Sequence, residues 1–131
     1  MKQTITKNDK NLKILNKLIT NGFYKGYVKA EKFELKRNYF PNNYRILGIL
    51  NEENKYVVKF DFDSMMSVNA KILMILGVIV SIIMLIKGNW IIPFVFIVSW
   101  LIAVIGFKMK GKKEMELFTN KFLEFYKNEY S

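Results

Sequence analysis

This chain contains no cysteine and no histidine, and only two prolines among 131 residues. The first absence removes disulfide staples and thiol nucleophiles, and the second removes imidazole bases. Together they remove Cys/His zinc sites. Acidic residues are scarce too, 11 against 21 lysines and arginines, which leaves a net charge of +10. A general acid/base pair needs two carboxylates held in a cleft, and no spacing of Asp and Glu here suggests one. Missing cysteine fits a reducing compartment. The opening "MKQTITKNDKN" has no apolar stretch, so a cleaved secretory signal is not expected. These absences point to a non-enzymatic protein with no cofactor and no metal.

What the chain has in quantity is apolar sequence, gathered between residues 68 and 107. It forms two runs, Val68 to Ile86 and Trp90 to Phe107. Each is close to the roughly 20 apolar residues of helix that a bilayer core about 30 Å thick requires. Two buried core helices would need a large surrounding protein to cover them, and the segments before and after are too short and too polar. The expectation is a two-helix transmembrane hairpin over residues 65–107, with helices near 68–86 and 90–107.

The break between the runs, "KGN" at 87–89, is short enough only for a tight turn. Gly88 supplies the positive φ that ends a helix, and Pro93 falls in the first turn of the next, where its missing N–H costs little. Trp90 is expected at headgroup level, and Lys71, one turn inside the first helix, can snorkel back to it. Lys108, Lys110, Lys112 and Lys113 crowd the far end of the second helix, and thirteen Lys and Arg residues precede the first. The positive-inside rule then puts both termini in the cytosol and the turn outside. Lysine far exceeds arginine and asparagine is frequent, a bias of AT-rich bacterial genes, so the expected membrane is the bacterial cytoplasmic one. Gly77 and Ser81, and Ser99 and Ala103, are small pairs spaced four apart that allow close helix approach, within the hairpin or between copies.

The flanking segments read as a small α+β unit. Leu12, Leu15, Leu18 and Ile19 have helical spacing, with Asn8 or Asp9 as N-cap and Gly22 at the C-terminal end. The period then changes to two. "FYKGYVKA", "KFELKR", "YRILGIL" and "KYVVKFDF" form an expected four-stranded antiparallel meander, turned by "FPNN" at 40–43 and "NEEN" at 51–54. In the last strand Tyr56, Val58, Phe60 and Phe62 face one way, and Val57, Lys59 and Asp61 the other. The unit comprises residues 1–64, and a separate amphipathic helix over 108–131 sets Met115, Phe118, Phe122 and Phe125 on one stripe. That stripe either folds back on the sheet or meets a partner.

Strand 44–50 is apolar on both faces: Tyr44, Ile46 and Leu50 on one, Leu47 and Ile49 on the other. Helices can cover one face only, so Arg45, Leu47, Ile49 and Val57 are the candidate interaction face for lipid, a protein partner or a second copy. Asp61 and Asp63 share a face and could hold a divalent ion, although helix capping and solvation account for them better. Aromatic and basic residues interleave at Phe33, Arg37, Tyr39, Tyr44 and Arg45, as in single-strand binders. A face beside an anionic leaflet explains the same charges at about 1 kcal/mol each, and nucleic acid is not expected.

"FELKRNYFPNNYRILGIL" resembles a group of small bacterial two-pass membrane proteins of uncharacterised function. In these a "FxLxR" strand, a Pro-containing turn and a glycine-bearing strand precede a transmembrane hairpin. The matching positions are Phe33, Leu35, Arg37, Pro41 and Gly48, and residues 23–126 would be covered. The resemblance implies the architecture and no activity. The functional expectation is an interaction or sensing module at the membrane. The alternatives are a membrane-resident immunity protein against a toxin, and a defence effector that oligomerises and permeabilises the bilayer.

Overall fold

The computed structural model describes residues 3–39 and 43–131, with backbone only at 64–66. The chain order is β1 (Gln3–Thr6), α1 (Asp9–Thr20), β2 (Tyr24–Val28), β3 (Lys32–Arg37), β4 (Tyr44–Leu50), β5 (Lys55–Phe62), α2 (Ser64–Ile86) and α3 (Ile91–Tyr130). It divides into two compact units. One comprises residues 1–62 and 111–131, the other residues 63–110.

The first unit is a two-layer α+β structure. Its antiparallel sheet has five strands, not four, in the order β1-β5-β4-β3-β2. Strands β2 to β5 form the expected meander, and β1 adds to its far edge by pairing Ile5 with Tyr56 and Thr4 with Val57. A four-residue strand with one apolar side chain has no visible period, so only pairing with β5 reveals it. Register and alternation place Tyr24, Phe33, Leu35, Ile46, Tyr56 and Val58 on one face, and all six are buried. Leu15 and Leu18 of α1 and Phe118 of α3 complete the core, with Met115, Phe122 and Phe125 packed against it. The 115–125 stripe therefore lies on the sheet. Most of the "FPNN" turn, with Pro41, falls at residues 40–42, outside the described residues.

Local chemistry explains the ends of these elements. Asn8 caps α1 by accepting the Asn11 N–H at 2.7 Å. Gly22, at φ +79°, follows the helix and donates to the Ile19 carbonyl. The β4–β5 hairpin is closed by Asn51, whose Oδ1 accepts from Glu53 N–H at 3.1 Å and Lys55 N–H at 2.9 Å. Tyr56 Oη bonds the Lys29 and Ala30 carbonyls at 3.0 and 3.1 Å, which fastens the β2–β3 turn to β5.

Glycine positions set the closest approaches. Gly48 pairs with Phe33 across the β3–β4 ladder, and a Cβ there would lie 2.1 Å from the Phe33 ring. That ring packs edge-on to Tyr56 at 5.3 Å and stacks on Phe118 at 6.3 Å. Gly48 is thus the space into which the central core aromatic fits.

The second unit contains α2 and the first half of α3. The Gly88 N–H bonds the Leu85 carbonyl, and the Asn89 N–H bonds that of Met84. This is a Schellman cap with Gly88 at φ +79°. Asn89 Oδ1 then accepts the Ile91 N–H at 3.1 Å, turning the chain into α3. Gly77 faces the Phe96 ring of α3, which a Cβ would meet at 2.1 Å, and Ser81 Oγ donates to the Gly77 carbonyl. The Gly77/Ser81 pair thus serves the packing of α2 on α3, whereas Ser99 and Ala103 are exposed.

One expectation needs correction. The segment 108–131 is not a separate helix, because α3 runs unbroken from Ile91 to Tyr130. "KMKGKKEMEL" has no proline and is rich in good helix formers, and a lone Gly111 costs only about 1 kcal/mol against alanine. Gly111 has a packing reason as well: it is buried, and its missing Cβ makes room for the Phe60 ring.

Candidate functional site

Alternation puts Arg45, Leu47 and Ile49 of β4 on the sheet face opposite the helices. Register adds Lys55, Val57, Lys59 and Asp61 from β5, Lys32, Glu34 and Lys36 from β3, and Lys25 and Tyr27 from β2. Thr4, Val57, Ile49 and Lys32 form one row across the strands, and Lys59, Leu47, Glu34 and Tyr27 the next. The four residues singled out from sequence are therefore brought together, but they are not equivalent. Ile49 is 44% exposed and Val57 partly so. Leu47, between Lys59 and Glu34, is only 9% exposed, in keeping with the way long charged side chains cover apolar neighbours with their stems.

Arg45 is committed to this face itself. Its Nη1 meets Glu34 at 3.0 Å and its Nη2 lies 3.9 Å from Asp61, while its Nε is buried without a partner among the described residues. Asp61 also accepts the Phe62 N–H at 2.8 Å. Both acids of the face are thus engaged by Arg45, and the face retains a surplus of lysines. Lys29 and Lys32 stand over the Tyr27 ring at 5.0 and 5.9 Å. The strand apolar on both faces resolves into a buried inner side and an outer side whose accessible apolar residues sit in a basic field. No group of three or more potential metal ligands occurs among the described residues.

The residues assigned to lipid headgroups lie on the two long helices or, for Trp90, in the turn between them. Lys71 on α2, Trp90 before α3, and Lys108, Lys112 and Lys113 on α3 are exposed, and Lys110 is partly buried. At about 100° per residue, the four α3 lysines spread around the helix rather than along one side.

Sequence reasoning missed a second polar cluster on the inner face. Arg37 meets Glu114 of α3 at 2.9 Å, a pair far apart in the chain and invisible to any local pattern. Beside it the Tyr24 hydroxyl is buried without a partner among the described residues. Burial first, then the Glu114 carboxylate, pushes its pKa up to about 12 against the opposing effect of Arg37. An open groove of about 360 Å³ adjoins it, with Arg37 over the Tyr39 ring at 4.8 Å and Lys121 over Phe23 at 4.6 Å. At the end of α3, Glu129 bonds Lys13 at 2.6 Å and also Lys17. These two hydrogen-bonded ammonium groups pull its pKa down to about 2.

The interleaved aromatics divide between environments. Phe33 is fully buried, and Tyr44 stacks between Phe60 and Phe62 at 5.2 and 5.4 Å on the inner face. In comparisons with known proteins, no family model, no curated protein and no solved structure matches this chain. Its functional reading rests on its own residues.

Proposed function

We propose that this protein is a small two-pass integral membrane protein, anchored by α2 and the apolar part of α3, whose α+β unit acts as a docking or sensing module. The observation that supports it most directly is the exposure of both apolar helices. Ser67–Ile86 and the apolar part of α3 are each long and apolar enough to cross a membrane, yet almost none of either is buried. A core helix of a soluble protein would be mostly covered. Large apolar side chains are instead exposed all along both helices, from Val68 to Ile86 and from Trp90 to Ile105. Fully burying each would be worth roughly 1.5–3 kcal/mol. Leaving even half of that unsatisfied in water exceeds the roughly 5–15 kcal/mol that stabilises a typical domain. Lipid removes the conflict.

The lysines near the helix ends orient the pair with both termini on the cytosolic side of the bacterial inner membrane. Because the chain lacks cysteine, Asn89→Cys and Asn120→Cys each create a unique label. Impermeant maleimide should reach Asn89→Cys in intact cells and Asn120→Cys only after lysis. Release of the intact chain from vesicles by alkaline carbonate would overturn the anchoring. Growth arrest with dye leakage on expression would replace docking with a permeabilising role.

A further inference from the structure

We propose that the groove where the start of β2 and the end of β3 meet α3 binds the C-terminal end of a partner polypeptide. The partner's last apolar side chain lies against Phe23, Tyr39 and Leu117, and its terminal carboxylate meets Lys121 and Arg37. This deepens the docking reading above by naming the ligand chemistry; it rests on that reading and not on the membrane anchoring.

Apolar surface gathers at this groove. Phe23, Tyr39 and Leu117 are 43%, 39% and 37% exposed, three of the six large apolar side chains that the α+β unit leaves exposed among its described residues. The volume of about 360 Å³ falls at the small end of the range for ligand sites, and the groove is open, so the rest of a bound chain can run out into solvent.

Charge selects the polar end of the ligand. The lining includes two cations, Arg37 and Lys121, and no carboxylate. Tyr24 lines it too, and its hydroxyl, with a pKa pushed up to about 12, adds no negative charge at neutral pH. Glu114, itself largely buried, holds Arg37 at 2.9 Å and fixes the guanidinium in place. Glu124 meets Lys121 at 3.0 Å, but that pair is exposed. Such pairs contribute little, so an incoming carboxylate can take its place. A carboxylate shared by an ammonium and a guanidinium forms the stronger, charge-assisted class of hydrogen bond.

Other occupants match less of this surface. Lys121 stands over the Phe23 ring at 4.6 Å and Arg37 over that of Tyr39 at 4.8 Å, so a nucleobase would find a face of each ring already taken. An added β-strand needs backbone groups that here are engaged within the protein. Gly22 donates to the Ile19 carbonyl and accepts from the Asn38 amide, and the Phe23 carbonyl accepts the Asn38 N–H. What remains is ring edges and an aliphatic side chain beside two cations, which suits an apolar residue carrying its own terminal carboxylate.

The full chain, in micelles of uncharged detergent, is titrated with fluorescein-labelled glycine–serine hexapeptides ending in Leu, Phe or Val, and fluorescence anisotropy reports binding. Each is compared with its C-terminal amide, and with an amide of equal charge that carries a glutamate at its labelled end. At least one free acid should bind about tenfold or more tightly than either comparison peptide. Lys121→Met should remove that preference while amide binding persists. Leu117→Asp, at an exposed position, should abolish binding of the acid, and the exposed Leu123→Asp should change neither. Equal binding of acid and amide by all three peptides, a preference that survives both groove variants, or no saturation by about 1 mM would overturn the groove. Hydrocinnamate competing as well as the best peptide would assign it to a free small acid and overturn the polypeptide partner. Carbonate extraction and dye leakage report the anchoring and the docking reading separately. Loss of the acid preference in a chain that carbonate retains and that leaks no dye removes the groove alone, and release with the preference intact removes the anchoring alone.

Discussion

Replacing Gly48 by alanine tests the packing on which the α+β unit depends. The new methyl carbon would lie 2.1, 2.4 and 2.6 Å from Cε1, Cζ and Cδ1 of Phe33, far inside van der Waals contact. The ring has nowhere to go, because Phe33 is fully buried, edge-on to Tyr56 and stacked on Phe118. Overpacking of this kind costs about 1–3 kcal/mol, and more where the neighbour cannot yield. The upper part of that range is expected. Alanine's smaller backbone entropy loss returns only about 0.5–1 kcal/mol.

A double-mutant cycle isolates the effect. Phe33→Ala alone should cost about 3–5 kcal/mol. In its background Gly48→Ala should be neutral or stabilising, giving a coupling of about 2 kcal/mol or more of opposite sign to the single effects. Urea-dependent proteolysis of the full chain in micelles reads both values, provided fragments are assigned to the sheet. Free of strain, the substitution would be neutral or would stabilise by up to about 1 kcal/mol. A Gly48→Ala protein at least as stable as its parent would show that Phe33 does not occupy that space. The β3–β4 register would then be wrong.

Two buried tyrosines should respond in opposite ways to loss of the hydroxyl. Tyr56→Phe removes bonds to two carbonyls and should cost about 1–2 kcal/mol, with faster cleavage in the β2–β3 turn. Tyr24→Phe removes an unpartnered hydroxyl and should be neutral or mildly stabilising. Tyr24's folded pKa is raised from 10.0 to about 12, so its contribution is intact below pH 10 and lost as pH rises to 12. The phenylalanine variant should lack that alkaline decline in thermal unfolding. Glu129 is the converse case, a carboxylate lowered from 4.5 to about 2. Its link to α1 is complete above pH 4.5 and lost as pH falls through 2, and hydrogen exchange at residues 123–131 should show this in the parent and not in Glu129→Gln. Gly77→Leu should clash with the Phe96 ring and lower the thermal stability of the α2–α3 packing in micelles, whereas Gly106→Leu, where nothing lies within 4 Å, should leave it unchanged.

Much of this molecule was legible in its linear pattern because the deciding forces are local. Strands β2 to β5 could be read from period-two alternation, α1 from its apolar spacing and Asn8, and the Gly88 turn from a glycine between two apolar runs. Phe33 and Leu35 are core residues, Arg37 pairs with Glu114, and Gly48 makes room for Phe33. Of the candidate face, the positions were legible and their accessibility was not. Leu47 and Ile49 look alike in sequence, but only cross-strand neighbours decide which is covered.

Sequence alone determined that the chain carries two long apolar helices and that an α+β unit flanks them, since hydropathy, period and capping are properties of neighbouring residues. Tertiary structure alone decided that β1 joins the sheet, that α3 continues past Lys113 to lay Phe118 on the core, and that Arg45 ties up both acids of the outer face. Each of these depends on contacts between residues far apart in the chain, whose energies no local window contains.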